Sequence, residues 1–337
     1  MVSLGCPKNT VDAELVLGDL LENGYEITSH QEEADIIIIN TCGFIEASKR
    51  ESIDTILEMA ALKSEGRCKK LVVTGCLSER YNDELLKEIP EIDHMLGVNQ
   101  YPQLKHILKI TSDSSGRDAS PNHVNDPAEY FESHTHRVLT TPFYTAYLKI
   151  GEGCSNQCAF CIIPKIRGRF RSRSQESVVT EARHLARRGV KEFNLVSQDT
   201  TMYGIDLRVK NGLIRLLQSL AKIDGVEWLR LFYCYPTFIN SDLIEYIASE
   251  EKVCNYIDVP LQHAHDVMLK RMKRQETEKE VRRMIEELRR KIPDIALRTT
   301  FITGFPGETE TEFRHLLEFV REIKFDHVGV FTYSHEE

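Results

Sequence analysis

The stretch YLKIGEGCSNQCAFC, Tyr147–Cys161, decides how the chain is to be read. An extended segment runs into one tight loop that delivers three soft ligands, Cys154, Cys158 and Cys161, as a CxxxCxxC run. Thiolates favour iron–sulfur clusters, zinc or Cu(I). A structural zinc site wants a fourth Cys or His and usually C-x-x-C pairs. A four-iron cubane held by three cysteines instead leaves one iron open, and an aromatic before the last cysteine, here Phe160, can flank a bound adenine.

Three more cysteines share a local context. Cys6 follows VSLG, Cys42 follows IIIINT and Cys76 follows LVVTG, so each sits at the end of a β-rich apolar run. Continuous apolar runs separated by amphipathic helical stretches indicate a parallel sheet covered on both faces, and its strands all end on one edge, where open α/β sheets bind ligands. Cys6, Cys42 and Cys76 can therefore converge although they are distant in sequence. Singly, each reads as a small buried apolar residue; together they read as a second three-thiolate site.

Working outward, the periodicity divides the chain in two. Strands near Val2–Leu4, Asp35–Ile39 and Lys70–Thr74 alternate with helices near Val11–Glu22, Ala47–Lys63 and Ser78–Glu88, with a fourth strand at Ile92–Leu96 and a last helix at Tyr101–Ile110. Residues 1–110 thus form a parallel α/β sandwich. Residues 111–136 are polar and turn-rich and read as a linker. From 137 to 337, strands at Tyr144–Ile150, Glu192–Ser197, Trp228–Tyr233, Tyr256–Val259, Ile295–Ile302 and His327–Tyr333 alternate with helices near Glu176–Arg188, Leu213–Ile223, Asp242–Glu250, Glu276–Lys291 and Glu310–Ile323. Six β/α units in series read as a partial TIM-type barrel with its chemistry at the C-terminal strand ends.

The totals agree with this division. A chain of 337 residues is long enough for two domains with real cores. No apolar run reaches a membrane span, and the N-terminus does not begin like a signal peptide. Nine cysteines without a secretory signal point to the reducing cytoplasm, where thiols serve metals rather than disulfides. The net charge of −9 disfavours general nucleic-acid binding and suits a basic partner.

Other residues stand at positions where barrel chemistry occurs. Gln198 follows the second barrel strand, Gln262 the fourth and Gly304 the fifth, the last within a TGFPGE turn where backbone can approach a ligand closely. Each is equally readable as an ordinary loop residue. Arg298, within the fifth strand, needs an anion if it points inward and is otherwise a solvated edge residue. Cations on alternate residues, Lys165, Arg167, Arg169, Arg171 and Arg173, would share one face of an extended segment. Cys68, in a polar run, reads as an exposed free thiol, and Cys234 and Cys254 as core.

Taken together, these motifs resemble the methylthiotransferases, radical S-adenosylmethionine (SAM) enzymes. The residues that carry the resemblance are VSLGCPKN (Val2–Asn9) with Asp12 and Glu14, NTCGFI (Asn40–Ile45) with Glu51–Ile53, TGCL (Thr74–Leu77), the run from Glu152 through Cys161 to Gly168, and ALRTTF (Ala296–Phe301). Pro7-Lys8-Asn9 and Gly43-Phe44-Ile45 side with the RimO type, which modifies a ribosomal protein, rather than with the tRNA-modifying relatives, which usually carry Gln-Met-Asn after the first cysteine. The resemblance implies that Cys154, Cys158 and Cys161 hold a SAM-cleaving 4Fe-4S cluster and Cys6, Cys42 and Cys76 an auxiliary one. Phe160, Gln198, Gln262, Arg298 and Gly304 become candidates for SAM contacts, and no acid/base pair is required. The implied reaction places a methylthio group on the β-carbon of an aspartate in a basic small-subunit ribosomal protein. One SAM serves as methyl donor and another as radical source. A flavodoxin- or ferredoxin-like reductant is a possible partner, and neither a membrane nor a direct nucleic-acid substrate is expected. The TRAM domain that usually ends the family is not present before Glu337. The competing readings are a tRNA adenosine methylthiotransferase and a non-catalytic metal-binding protein.

Overall fold

A computed structural model of the protein describes residues 1–110, 121–125 and 137–336. Most of the expected linker, 111–120 and 126–136, lies outside the described residues. The chain forms two compact units. The first comprises Met1–Thr140 with Lys165–Gly168 and the last residues of the chain, and the second comprises Thr141–Pro164 with Arg169–His335.

In the first unit, β1 (Val2–Ser3), β2 (Ile36–Thr41), β3 (Lys70–Gly75) and β4 (His94–Met95) form a parallel sheet in that spatial order. The run of four isoleucines in β2 is the expected content of a strand buried on both faces, and Ile37, Ile38 and Ile39 are all buried. Helices α1 (Pro7–Glu22), α2 (Glu46–Glu65) and α3 (Cys76–Glu88) provide the connections, and α4 (Leu104–Ile110) follows the sheet. Ile37, Ile39, Leu71 and Val73 pack with Ile56 and Met59 of α2 into one core. Cys68 belongs to this core at 5% exposure, which corrects the expectation of an exposed thiol. Its neighbours in sequence are polar, but its position two residues before β3 places it in the core with Ile56, Met59 and Ala60 of α2.

Two segments read as linker or barrel join this unit. Asn122 forms an isolated parallel bridge with Met95, through Met95 N donating to Pro121 O and His123 N donating to Met95 O, both at 2.8 Å. Arg137 is buried against Glu14 of α1, with Nη2 2.5 Å from Oε2, and the other oxygen of Glu14 accepts from Thr140 N and Oγ1 at 2.6 and 2.8 Å. Glu14 and Arg137 are 0% and 2% exposed. A pair so deeply buried contributes little net stability while intact, but losing one partner strands the other charge.

In the second unit, β5 (Thr145–Lys149) is followed by the short strands β6 (Gly151–Glu152) and β7 (Arg171–Ser172), which pair antiparallel. Then come β8 (Glu192–Val196), β9 (Trp228–Leu231), β10 (Val253–Asp258), β11 (Ala296–Thr303) and β12 (His327–Thr332). The large sheet has six parallel strands in the order β5-β8-β9-β10-β11-β12. Chain order equals spatial order and β5 does not pair with β12, which is the open partial barrel expected from six consecutive units. After the short α5 (Ile163–Arg167), of which residues 165–167 belong to the first unit, the covering helices are α6 (Gln175–Arg187), α7 (Gly212–Ala221), α8 (Ser241–Ser249), α10 (Glu278–Lys291) and α11 (Glu310–Ile323). Helix α10 buries Val281, Met284, Ile285 and Leu288, a stripe at i, i+3, i+4 and i+7, and is started by a capping box of Thr277 with Glu280. Helix α9 (Asp266–Arg271), between β10 and α10, was not expected from periodicity.

The alternating cations do not share a face. Pro164 sits in the first turn of α5, where a missing N–H costs nothing, so Lys165 and Arg167 lie on a helix rather than a strand. Lys165 and Arg169 are exposed, whereas Arg167 and Arg173 are buried. Arg173 donates to Glu181 Oε2 at 2.5 Å, Lys149 O at 2.8 Å and Ser177 Oγ at 2.7 Å. Cys234 is buried as expected and Cys254 half-buried.

Replacing Glu14 with Ala is expected to destabilise the first unit by about 3–5 kcal/mol through the stranded Arg137 charge. The measurement is the midpoint of its urea unfolding transition; an unmoved midpoint would show that Arg137 finds another anion.

Candidate metal and SAM sites

The parallel register of the first sheet delivers its three cysteines to one edge. Cys42 directly follows β2, Cys76 directly follows β3, and Cys6 stands between β1 and α1. Each is fixed by backbone. Gly5 has φ of +91°, and a Cβ there would stand 2.8 Å from Cys42 Cβ, so only glycine lets the two loops approach. Gly75 has φ of +101° and lies equally tight against Asn40 and Thr41. Ser52, fully buried on α2, donates its hydroxyl to Cys42 O at 2.8 Å and accepts from Cys42 N at 3.0 Å. Asn9 donates to Leu4 O and Thr41 O, both at 2.9 Å, and its own carbonyl accepts from Asn40 Nδ2 at 2.8 Å. The first turn of α1 is thereby locked to the ends of β1 and β2.

The electrostatics of this edge are uneven. Burial pushes the Cys76 thiol up to about 12, with Cys6 and Cys42 close enough to add to the rise and Arg167 opposing it. Burial would raise Cys6 too, but the Lys8 and Arg167 charges and backbone N–H bonds from Asn9 and Lys8 hold it below the ordinary thiol value. Arg167, which the sequence reading placed on one cationic face of an extended segment, donates from Nη2 to Asn9 Oδ1 at 2.6 Å and lies 3.4 Å from Cys76 Sγ. Cations beside a buried thiol that resists ionisation, as at Cys76, become favourable once a metal deprotonates it.

In the second unit, β6 and β7 bracket the loop of Cys154, Cys158 and Cys161. Cys161 N donates to Cys158 O at 3.1 Å, which closes the tight turn, and Ala159 N donates to Met272 O at 2.9 Å. Cys154 is buried, and burial raises its thiol to about 11. Arg274 points Nη1 at Cys158 Sγ at 3.7 Å, pairs with Glu276 at 2.6 Å, donates to Pro260 O at 3.0 Å and stacks 4.0 Å over the Tyr235 ring. Sequence reasoning missed Arg274 and Tyr235. Arg274 belongs to a run with Lys270, Arg271 and Lys273, and nothing in the run says that its side chain alone is 4% exposed.

The five candidate ligand contacts fare differently. Phe160 packs against Met268, Met272 and Phe305, and Phe305 belongs to the Gly304 turn, so these two candidates are tied to one apolar cluster. Gly304 has φ of +75° with open space where a Cβ would stand, and its N–H donates to the Glu308 carboxylate. Glu308 is held in turn by the buried His263 at 3.1 Å. Gln198 donates from Nε2 to Glu152 Oε1 at 2.7 Å, and Glu152 is paired with Lys149 at 2.9 Å. The Oε1 of Gln198 is buried with no partner, an acceptor that suits a ligand's donor. Gln262, at φ of +70°, is built in through its backbone, its N donating to Thr300 O and its O accepting from Ile302 N, both at 2.8 Å. Arg298 is not merely a solvated edge residue. Its Nη1 meets Asp258 Oδ1 at 2.8 Å, so the anion it needs is supplied by the neighbouring strand. Asp199, buried beneath the cysteine loop, has its carboxyl raised by desolvation although Thr201 and Asn156 donate to it.

Among the described residues no three His, Cys, Asp or Glu side chains are grouped as a single metal ion would need. What each unit assembles is a set of three thiols, the donors proper to a cluster with separate iron corners. The residues fit two such clusters, and the buried free acceptor of Gln198 fits a polar ligand beside the second.

Comparison with known proteins bears on the same features. The model of the uncharacterized protein family UPF0004 matches residues 1–97, and that of the radical SAM superfamily matches 148–320. Ribosomal protein uS12 methylthiotransferases RimO from Geobacter sulfurreducens and Geotalea uraniireducens are 53% and 51% identical to the chain over all 337 residues, which span 75% of each relative. The RimO of Clostridium kluyveri is 52% identical, again covering 100% of this chain and 75% of its own length. Among solved structures, the radical SAM methyltransferase TsrM from Kitasatospora setae, with cobalamin and a [4Fe-4S] cluster, shares the fold at a TM-score of 0.73 and 15% identity, over 98% of this chain and 72% of its own. The cobalamin-dependent SAM radical enzyme OxsB matches at a TM-score of 0.58 and 14% identity, over 90% of this chain and 45% of its own. With full-length identity above one half to a named relative and a radical SAM fold in the second unit, the chain belongs to the RimO-type methylthiotransferases of the radical SAM superfamily.

Proposed function

We propose that this enzyme adds a methylthio group to the β-carbon of an aspartate in ribosomal protein uS12. The observation that carries the reading is the 53% identity over the whole chain to a uS12 methylthiotransferase. The net charge of −9 supports a basic protein as partner. When bound, SAM and the two 4Fe-4S clusters supply methyl transfer and one-electron radical chemistry.

The chain's own residues hold and orient these groups. Cys154, Cys158 and Cys161 are the ligands of the SAM-cleaving cluster, with Arg274 steadying Cys158 from behind. Gln198, fixed by Glu152 and Lys149, offers its Oε1 to a SAM hydroxyl or ammonium, and Phe160 with the Gly304 turn forms an apolar flank for the adenine. Cys6, Cys42 and Cys76 are the ligands of the auxiliary cluster, in the first unit, where Arg137 pairs with Glu14 of α1. Among the described residues no helix is long and apolar enough to cross a membrane, and a cytoplasmic enzyme fed by a flavodoxin- or ferredoxin-like reductant accords with a ribosomal substrate.

Anaerobic incubation of the reconstituted protein with SAM, sulfide and reductant, offering uS12 in one arm and tRNA in the other, tests the substrate by mass spectrometry. A methylthio increment on a uS12 aspartate is expected. The same increment on tRNA would overturn the substrate while keeping the chemistry. Cys42→Ala should lose methylthio transfer by more than the about 10–100-fold that loss of a mere outer-shell partner costs, yet still release deoxyadenosine from SAM. Cys158→Ala should release none, and deoxyadenosine formation in that variant would refute its role as ligand.

A further inference from the structure

Each three-cysteine site has an arginine donor on one of its sulfurs, and the one in the first unit is unusually placed. Arg167 is 1% exposed, yet its Nη2 is shared among three acceptors: Asn9 Oδ1 at 2.6 Å, Cys76 Sγ at 3.4 Å and Asp12 Oδ2 at 3.5 Å, with Nη1 3.4 Å from the same Asp12 oxygen. Other buried arginines of this protein meet their carboxylates closely, Arg137 at Glu14 and Arg173 at Glu181 both at 2.5 Å. At Arg167 the carboxylate stands back by almost an ångström, and a neutral amide and a cysteine sulfur share the donor. A thiolate at Cys76 would turn this contact into a charge-assisted hydrogen bond.

We propose that Arg167 is a positioning residue that raises the reduction potential of the auxiliary cluster by donating to the Cys76 sulfur, with Asp12 opposing it. The inference rests on Cys6, Cys42 and Cys76 being the ligands of that cluster. Hydrogen bonds to ligand sulfurs and nearby positive charge both favour the reduced, more negative state of an iron–sulfur cluster, so the two effects of a guanidinium act in one direction. Asp12 works against both, since it draws Nη2 and adds negative charge. Asn9 fixes the geometry, because the side chain that receives Arg167 also ties α1 to the ends of β1 and β2.

The experiment uses the full chain with Cys154, Cys158 and Cys161 replaced by Ala, so that only the auxiliary cluster contributes. After anaerobic reconstitution with iron and sulfide, the cluster is titrated with dithionite and followed by electron paramagnetic resonance. Arg167→Gln should move the midpoint to more negative potential by about tenfold in the reduction equilibrium, ~59 mV for a one-electron couple. Arg167→Lys, which keeps the charge and loses the fork, should move it less. Asp12→Asn should move it in the opposite direction. A merely structural role would shift both positions the same way or not at all, and either result, at full iron content, overturns the proposal. If Arg167→Gln fails to hold iron, the opposed signs of Arg167→Lys and Asp12→Asn decide the matter. A parent protein that binds no iron would overturn the ligand assignment itself, which separates that failure from an unmoved midpoint.

Discussion

A parallel sheet hands every strand to its following loop at the same edge, and the chemistry of this protein depends on that constraint. Cys6, Cys42 and Cys76 are up to 70 residues apart in sequence, yet each stands at the end of one of three adjacent strands. Little side-chain engineering is then needed to assemble them. Two glycines with positive φ, Gly5 and Gly75, let the loops come together, and Ser52 and Asn9 hold the backbones in place. The second unit follows the same rule with its six parallel strands, except that all three thiols sit in one loop after β5.

The second organising feature is charge kept close to buried thiols. Burial, as the largest cause, makes Cys76 and Cys154 poor thiolates, pushed up to about 12 and about 11. A bound cation offsets that cost at the ligands, and the arginines at Arg167 and Arg274 are set to stabilise the resulting negative charge at one sulfur per site. Arg274 is already matched by Glu276 at 2.6 Å, whereas Arg167 is distributed over several acceptors. The two sites are thus built from the same parts with different electrostatic balance.

Much of this was legible because it is carried by period and punctuation. The four-isoleucine run of β2, the a/d-like stripe of α10 and the TxxE boxes before α10 and α11 each state their structure locally. The cysteines were legible because they fall at strand ends. What escaped was non-local. The alternation of cations from Lys165 to Arg173 mimics a strand, but Pro164 starts a helical turn, and the partners that bury Arg167 lie far from it in sequence. Cys68 has polar neighbours and an apolar site, and Arg298 finds its anion on an adjacent strand through register alone. Burial of a charged residue depends on partners elsewhere in the chain, which no local pattern records.

The most direct measurement is the iron and acid-labile sulfide content, with Mössbauer spectroscopy, of the reconstituted chain and of the single variants Cys42→Ala and Cys158→Ala. Two independent cluster sites require each variant to lose half of the iron, and a different half, with the remaining cluster spectroscopically unchanged. Loss of all the iron in either variant, retention of all of it in both, or zinc in place of iron would contradict the account.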